Sequence, residues 1–218
     1  AFPRGTRVVG FRGTEGFSRL YAFEIYVRIP PEHSDDFDLG ELVDSKATLT
    51  VDRQDGRPPF QFHGIFSAGA LVHHQPDGAA LVRAVLVPRL WRLTQTLHSH
   101  IFTNQSIPDI IKELLEDGGI PAKSYALRLS QKYEPEEHVC EYAESHFSFI
   151  SRWMEREGIY YYFEQGDSGE KLIITDNKSV HEDLVSAPVR YYALSGPDAT
   201  AKECLQTFVC HYRSLPAT

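Results

Sequence analysis

From Leu20 to Pro30 the chain alternates, with Tyr21, Phe23, Ile25, Val27 and Ile29 on one face and Ala22, Glu24, Tyr26 and Arg28 on the other. That two-residue period is the mark of a half-buried strand. Arg7–Arg12 supplies a strand partner, and the "GTEG" segment between them offers the positive-φ positions that a reversal needs. Lys46–Arg53 alternates again, Ala47, Leu49 and Val51 against Thr48, Thr50 and Asp52, until "QDGRPP" breaks the pattern. Phe60–Phe66 and Ala68–His74 read as two further strands of an antiparallel meander, and "QPDG" turns the chain into Ala80–Val87. Consecutive strands at this spacing favour a barrel or a sandwich.

The period changes after Pro88. Ser106 followed by Asp109 is a capping box, and Ile107, Ile110, Ile111, Leu114 and Leu115 recur at helical spacing until Gly118 and Gly119 stop them. A second helix is expected from about Glu136 to Glu157. Its acidic start suits the positive end of the helix dipole, and its stripe of Val139, Ala143, Phe147, Ile150 and Met154 steps by three and four. Gly158 sits where a left-handed cap would end it. Ile159–Gln165 then alternates as a strand, and "GDSG" folds it back into Glu170–Thr175 as a hairpin.

Composition narrows the partners. The 218 residues carry 22 Lys and Arg against 30 Asp and Glu, a formal charge of -8, which opposes a polyanionic partner and so excludes nucleic acid. No apolar run approaches the roughly twenty residues of a membrane-crossing helix, and Ala1–Gly10 has no apolar core of the signal-peptide kind, so a soluble chain made in the cytoplasm is expected. Cys140, Cys204 and Cys210 are too few and too oddly spaced for a secreted disulfide framework. Reduced thiols are expected: with Leu205–Val209 extended, Cys204 and Cys210 stand about 20 Å apart.

Candidate chemistry is sparse. Glu155 and Glu157 resemble an acid/base pair in composition only, since helix neighbours two apart point in different directions. The Tyr160–Tyr162 run is a possible sugar or membrane platform, but alternation sends half of it into the core. His98 and His100 share a face only in a strand, no cysteine or carboxylate lies at a zinc-like spacing beside them, and they and His73–His74 read as ordinary histidines. Glu137, His138, Glu141, Glu144 and His146 are dense in ligand atoms yet fall around several faces of one short helix, and read as solvated surface. No G-x-S-x-G, phosphate loop or dinucleotide motif occurs. The expected catalytic, cofactor-binding and metal residues are therefore none, the expected cofactor is none, and no binding residue is marked.

Three blocks carry a resemblance: "EGFSRLYAFEIYV", "VPRLWRLTQTLHSHIFTNQSIPDIIKELL" and "HFSFISRWMEREGIYYYF". In this order and separation, over roughly 11–176, they resemble the N-terminal part of the VgrG spike family of type VI secretion systems, and are similar to the central hub of contractile phage baseplates. Where that pattern usually has glutamine-tyrosine and an aspartate before the phenylalanines, this chain has Glu141–Tyr142 and His146. Where an arginine is common before the isoleucine-phenylalanine pair, it has His100.

The resemblance implies an α+β chain: an antiparallel β-barrel-like domain over 1–90, a mixed α/β domain with two helices and a hairpin over 91–176, and over 177–218 a linker and the start of a second, truncated barrel near Leu205–Tyr212. It implies a non-enzymatic hub that forms a homotrimer, sits on the hexameric tube protein Hcp among baseplate components, and reaches a spike-tip protein and effectors through other parts of a longer chain. Such a hub assembles in the cytoplasm and is then secreted or injected. A contractile-phage tail hub and, from a different class, a carbohydrate-binding or glycoside-cleaving domain are the alternatives.

Overall fold

A computed structural model describes residues 2–52, 56–167, 169–181, 191, 205 and 207–210. The protein is mostly β with few helices. Five strands form one antiparallel sheet: β1 (Arg7–Thr14), β2 (Ala22–Ile29), β3 (Lys46–Val51), β4 (Phe60–His74) and β5 (Ala80–Val87), in the order β1-β2-β5-β4-β3. A single-turn helix α1 (Pro31–Ser34) follows β2.

The alternation of β2 is realised side chain by side chain. Tyr21, Phe23, Ile25, Val27 and Ile29 are all buried, against Val82, Ala84 and Leu86 of β5, Leu49 of β3 and Leu42 of the preceding loop. Tyr21 also keeps its polar end satisfied, donating its hydroxyl to the His63 carbonyl, and burial pushes that hydroxyl's pKa up. The Gln75–Gly78 turn closes as expected, with Gly78 at φ 84° and the Gln75 amide donating to the Ala79 carbonyl at 2.7 Å.

The two strands expected over Phe60–His74 are one. β4 runs unbroken for 15 residues, pairing its first half with β3 and its second with β5. Register shifts between Phe66 and Ala68 and between Leu71 and His73 absorb the extra residues, so Ser67, the break between the two expected strands, marks a bulge.

Beyond the sheet lies a second core. A turn of 3-10 helix (Arg89–Thr94) leads into β6 (Leu97–Gln105) and α2 (Ile107–Asp117), then β7 (Tyr125–Arg128), β8 (Glu136–Ser145), α3 (His146–Glu157), β9 (Tyr160–Gly166) and β10 (Gly169–Thr175). β7, β10 and β9 make a three-stranded sheet, while β6 and β8 pair as an antiparallel ribbon. α2 is capped by the Ser106 hydroxyl, which accepts from the Asp109 amide at 3.4 Å. The helix buries all five of its periodic apolar residues, each contributing about 1.5–3 kcal/mol on removal from water.

The expected helix over Glu136–Glu157 is corrected at its first half. Glu136–Ser145 is strand β8, and α3 begins only at His146, capped by the Ser145 hydroxyl accepting from the Ser148 amide. Ala143, placed in the expected helical stripe, is exposed and adopts φ 48°, a left-handed conformation closed to a helix interior. Gly158 does cap the helix in the left-handed region, at φ 69°.

The two cores meet along β9 and β10. Phe163 packs against both, with its ring 5.0 Å from that of Tyr21. Glu170 accepts from the Arg89 amide at 3.1 Å and from Arg89 Nε at 2.8 Å, and the His63 amide donates to Gln165 Oε1 at 3.0 Å. Asp176, at the end of β10, receives the amides of Ser130 and Gln131 and the hydroxyls of Ser130 and Tyr133. Burial alone would raise the Asp176 carboxyl, but these donors outweigh it and hold the pKa below the usual carboxylate range.

Of the expected start of a second barrel near Leu205–Tyr212, Gln206, His211 and Tyr212 lie outside the described residues; Leu205 forms an isolated bridge with Tyr191, and Thr207–Cys210 carries no regular structure. Cys140 and Cys210 are free thiols, and Cys204 lies outside the described residues.

Two outcomes follow. A Cβ on Gly64 would lie 2.2 Å from the Val87 carbonyl oxygen, whereas one on Gly10 meets nothing within 4 Å. Gly64→Ala should therefore lower the melting temperature by several degrees, and Gly10→Ala should leave it nearly unchanged, as read by calorimetry. Because the Asp176 pKa is depressed on folding, its contribution is present above the unfolded carboxylate pKa of about 4 and is lost as acid takes the pH through the folded value. Asp176→Asn should thus cost stability at pH 7 and little at pH 2, which urea midpoints at the two pH values will show.

Candidate functional site: the β6–β8 ribbon

Among the described residues β6 and β8 pair only with each other; one face of the ribbon covers α2 and α3 and the other is left open. Phe102 of β6 and Val139 of β8 stand opposite one another, both buried in the second core. On the open side, Leu97 is 72% exposed, Ile101 70% and Tyr142 79%, a row of large apolar side chains facing outward. Isolated apolar residues on a surface need no explanation, but a cluster on one ribbon face is the signature of a contact surface. The edge strand β1 adds exposed Val8, Val9 and Phe11 elsewhere on the molecule.

On the inner side the ribbon carries polar residues. The register shift between His98 and His100 sets His98 against Glu144 and His100 against Glu141, with the Ala143 amide donating to Ser99 Oγ at 3.1 Å across the irregularity. Glu141 is 0% exposed, and its Oε1 lies 2.8 Å from Nδ1 of His146, itself 3% exposed. His146 Nε2 faces Asp117 Oδ2, at the end of α2, at 3.3 Å. The His98 ring stacks on that of His146 with centroids 3.7 Å apart and planes 15° from parallel. Arg152 closes the outer flank, bonding Glu144 through Nε and Nη2, donating to the Cys140 carbonyl, and lying over the Phe149 ring at 5.0 Å. The Glu144 carboxylate holds the Arg152 guanidinium above its ordinary pKa.

This brings together residues that spacing alone left apart. Glu141 and His146 do not lie around several faces of one helix; one is on a strand and the other opens α3, and His100 reaches them from the partner strand. These are also the positions at which the chain departs from the pattern it resembles. Glu137 and His138 are exposed and outside the group, and Glu144 belongs to Arg152. Sequence reasoning missed Ile101 and Tyr142; a β8 strand paired with β6 was the assignment that would have found them.

The other candidates do not converge. Glu155 is exposed and Glu157 is half-buried 3.6 Å from Arg156 Nε, on a helix surface with no facing carboxylate between them. Tyr161 is buried, and Tyr160 and Tyr162 are half-buried with their rings edge-on to Phe17 rather than coplanar. Trp153 is buried beneath Arg156, whose guanidinium sits 4.5 Å above its ring. His73 and His74 are exposed at the end of β4.

A β-rich scaffold with an outward row of apolar side chains on a paired ribbon offers a surface suited to packing against another protein. The chain belongs to the phage tail baseplate hub family, whose model matches residues 14–218. It is 34% identical over 194 residues to the type VI secretion system spike protein VgrG1b of Pseudomonas aeruginosa, covering 87% of this chain and 25% of that protein. It is 32% identical over 199 residues to spike protein VgrG3 of Vibrio cholerae, covering 87% of this chain and 19% of that one. The chain thus spans about a quarter or less of the length of these curated relatives.

Among solved structures it is similar to the E. coli c3393 protein, described as a type VI secretion component resembling the T4 tail proteins gp27 and gp5. The TM-score is 0.72 at 19% identity, over 88% of this chain and 53% of that one. A chain of the Francisella PdpA-VgrG complex gives a TM-score of 0.59 at 12% identity, over 87% and 30%. Both likenesses concern the fold.

The inner cluster has an energetic consequence of its own. Glu141→Ala leaves His146 Nδ1 buried without its acceptor, at a cost of about 1–3 kcal/mol, whereas His138→Ala, exposed on the same strand, should stay within about 0.5 kcal/mol of the parent. Denaturant titration of the two variants checks the difference.

Proposed function

We infer that the chain is the hub portion of a type VI secretion spike, a structural and not a catalytic part. The observation that carries this reading is the match of residues 14–218 to the baseplate hub family, joined to an exposed apolar ribbon that a subunit of an assembly would cover. In this reading the sheet of β1–β5 and its core correspond to a barrel-like domain over 1–90. The second core corresponds to the α/β domain over 91–176, and 177–218 leads into a second barrel.

The hub forms a homotrimer in which neighbouring copies cover Leu97, Ile101 and Tyr142, and threefold closure makes the same patch serve in every copy. It seats on the hexameric tube protein Hcp within the baseplate, and a spike-tip protein and effectors attach through other segments of the longer protein. Assembly takes place in the cytoplasm and is followed by injection, with puncture of the target membrane. The membrane would be breached mechanically; no helix among the described residues is long and apolar enough to cross one. A contractile-phage hub is the second reading, favoured by the description of the matching family itself.

The test uses the full-length spike. Ile101→Asp and Tyr142→Asp place a charge where a neighbour's apolar surface should lie, and each should weaken association on the order of tenfold or more. Light scattering across a concentration series would then show a shift from trimer toward monomer, with circular dichroism unchanged. A trimer indifferent to both substitutions would remove this ribbon from the interface.

A further inference from the structure

The inner face of the ribbon holds more than a hydrogen-bonded pair. His100 from β6, Glu141 from β8 and His146 from the first turn of α3 bring one ligand atom each to a common point, all within 4.8 Å of one another. We propose that these three side chains form a binding site for a single zinc ion, tying the ribbon to the start of α3.

The argument begins with the carboxylate. Glu141 is fully buried, and while its Oε1 meets His146, its Oε2 has no hydrogen-bond partner among the described residues. The His100 Nδ1 atom stands 3.6 Å from that oxygen, too far for a hydrogen bond. A buried carboxylate oxygen left with unmet lone pairs is costly, and a cation between it and the two imidazoles is the group whose presence removes the cost. The Arg152 guanidinium does not fill that role, because it is already committed to Glu144 and the Cys140 carbonyl.

The spacing suits the ion. In a tetrahedral site with metal–ligand bonds of about 2.0–2.1 Å, ligand atoms lie roughly 3.3 Å apart. The His100 Nδ1–Glu141 Oε2 separation of 3.6 Å is close to that edge, and the carboxylate, which here gives its other oxygen, Oε1, to His146 Nδ1 at 2.8 Å, must turn so that Oε2 faces both nitrogens. That turn breaks the Nδ1–Oε1 hydrogen bond, its proton leaves to solvent, and Nδ1 is free to take the metal beside Oε2. The other ring nitrogen of His146 then carries its N–H toward Asp117 Oδ2, now 3.3 Å away, which gives the carboxylate–histidine–metal arrangement that fixes a ligand's tautomer.

His98 completes the support without joining the site. Its ring lies flat on His146, and its Nε2 is engaged with Thr96 Oγ1 at 2.7 Å, so it sets the plane of the ligand. His100 is on the exposed side of the group, which leaves the fourth coordination position to water. Two nitrogens and one oxygen are a donor set that zinc accepts.

The experiment is a calorimetric titration of zinc chloride into chelator-treated protein, followed by cobalt(II) as a spectroscopic substitute. One ion per chain with Kd on the order of 1 μM or tighter, and the visible bands of four-coordinate cobalt, are expected. His100→Ala removes the half-exposed ligand without opening the core and should weaken zinc binding at least about tenfold. The double variant His73→Ala with His74→Ala, at an exposed histidine pair elsewhere, should bind as the parent does. Failure of the parent to take up one equivalent, uptake indifferent to His100→Ala, or loss of uptake in the His73, His74 variant would each overturn the site.

Discussion

The hydrogen-bonded pairing of β6 with β8 is the constraint from which the features of this chain's second core follow. A strand sends successive side chains to opposite faces, so once the two strands pair, Phe102 and Val139 must enter the core while Ile101 and Cys140 must leave it. The same rule would send His100 and Glu141 to one side. His98, two residues before His100 on β6, falls on that side by the same alternation while β8 absorbs the extra residue, placing three polar side chains over the start of α3. One pairing thus produces an apolar outer row and a polar inner group.

The first core depends on a simpler arrangement, a five-stranded sheet with β2 and β5 at its centre, and reaches the second through a small number of specific contacts. Arg89 and Glu170 form a nearly buried pair whose carboxylate also takes a backbone amide, so its lone pairs are well used. Buried ion pairs add little net stability against apolar alternatives, and their value lies in geometry, because few relative placements of the two layers satisfy both groups. Phe163, packed on both sides, supplies the non-directional part of the same joint.

Much of this was legible in the sequence. β2 and β3 announce themselves by strict alternation, and α2 by its cap and apolar spacing, because in those segments local preference and tertiary environment agree. The Glu136–Ser145 segment was misread since Val139 and Ala143 are four apart and the acidic residues suit a helix start. The edge of β6 decided otherwise, offering backbone partners that a helix would have left unpaired. With that assignment went the site: His98 and His100 were recognised as sharing a face only in a strand, but the carboxylate opposite them was assigned to a helix. Phe60–His74 was divided at Ser67, where the ladder on both sides carries the strand through.

Ser145 is at once the last residue of β8 and the cap of α3. No connecting loop intervenes, so ribbon and helix are mechanically in series without slack. A push on the outer face at Ile101 or Tyr142 is delivered to the helix through one covalent segment and the hydroxyl that caps it, and from the helix to the core around Trp153 and Met154. Under load, such a joint behaves as a strut and not as a hinge.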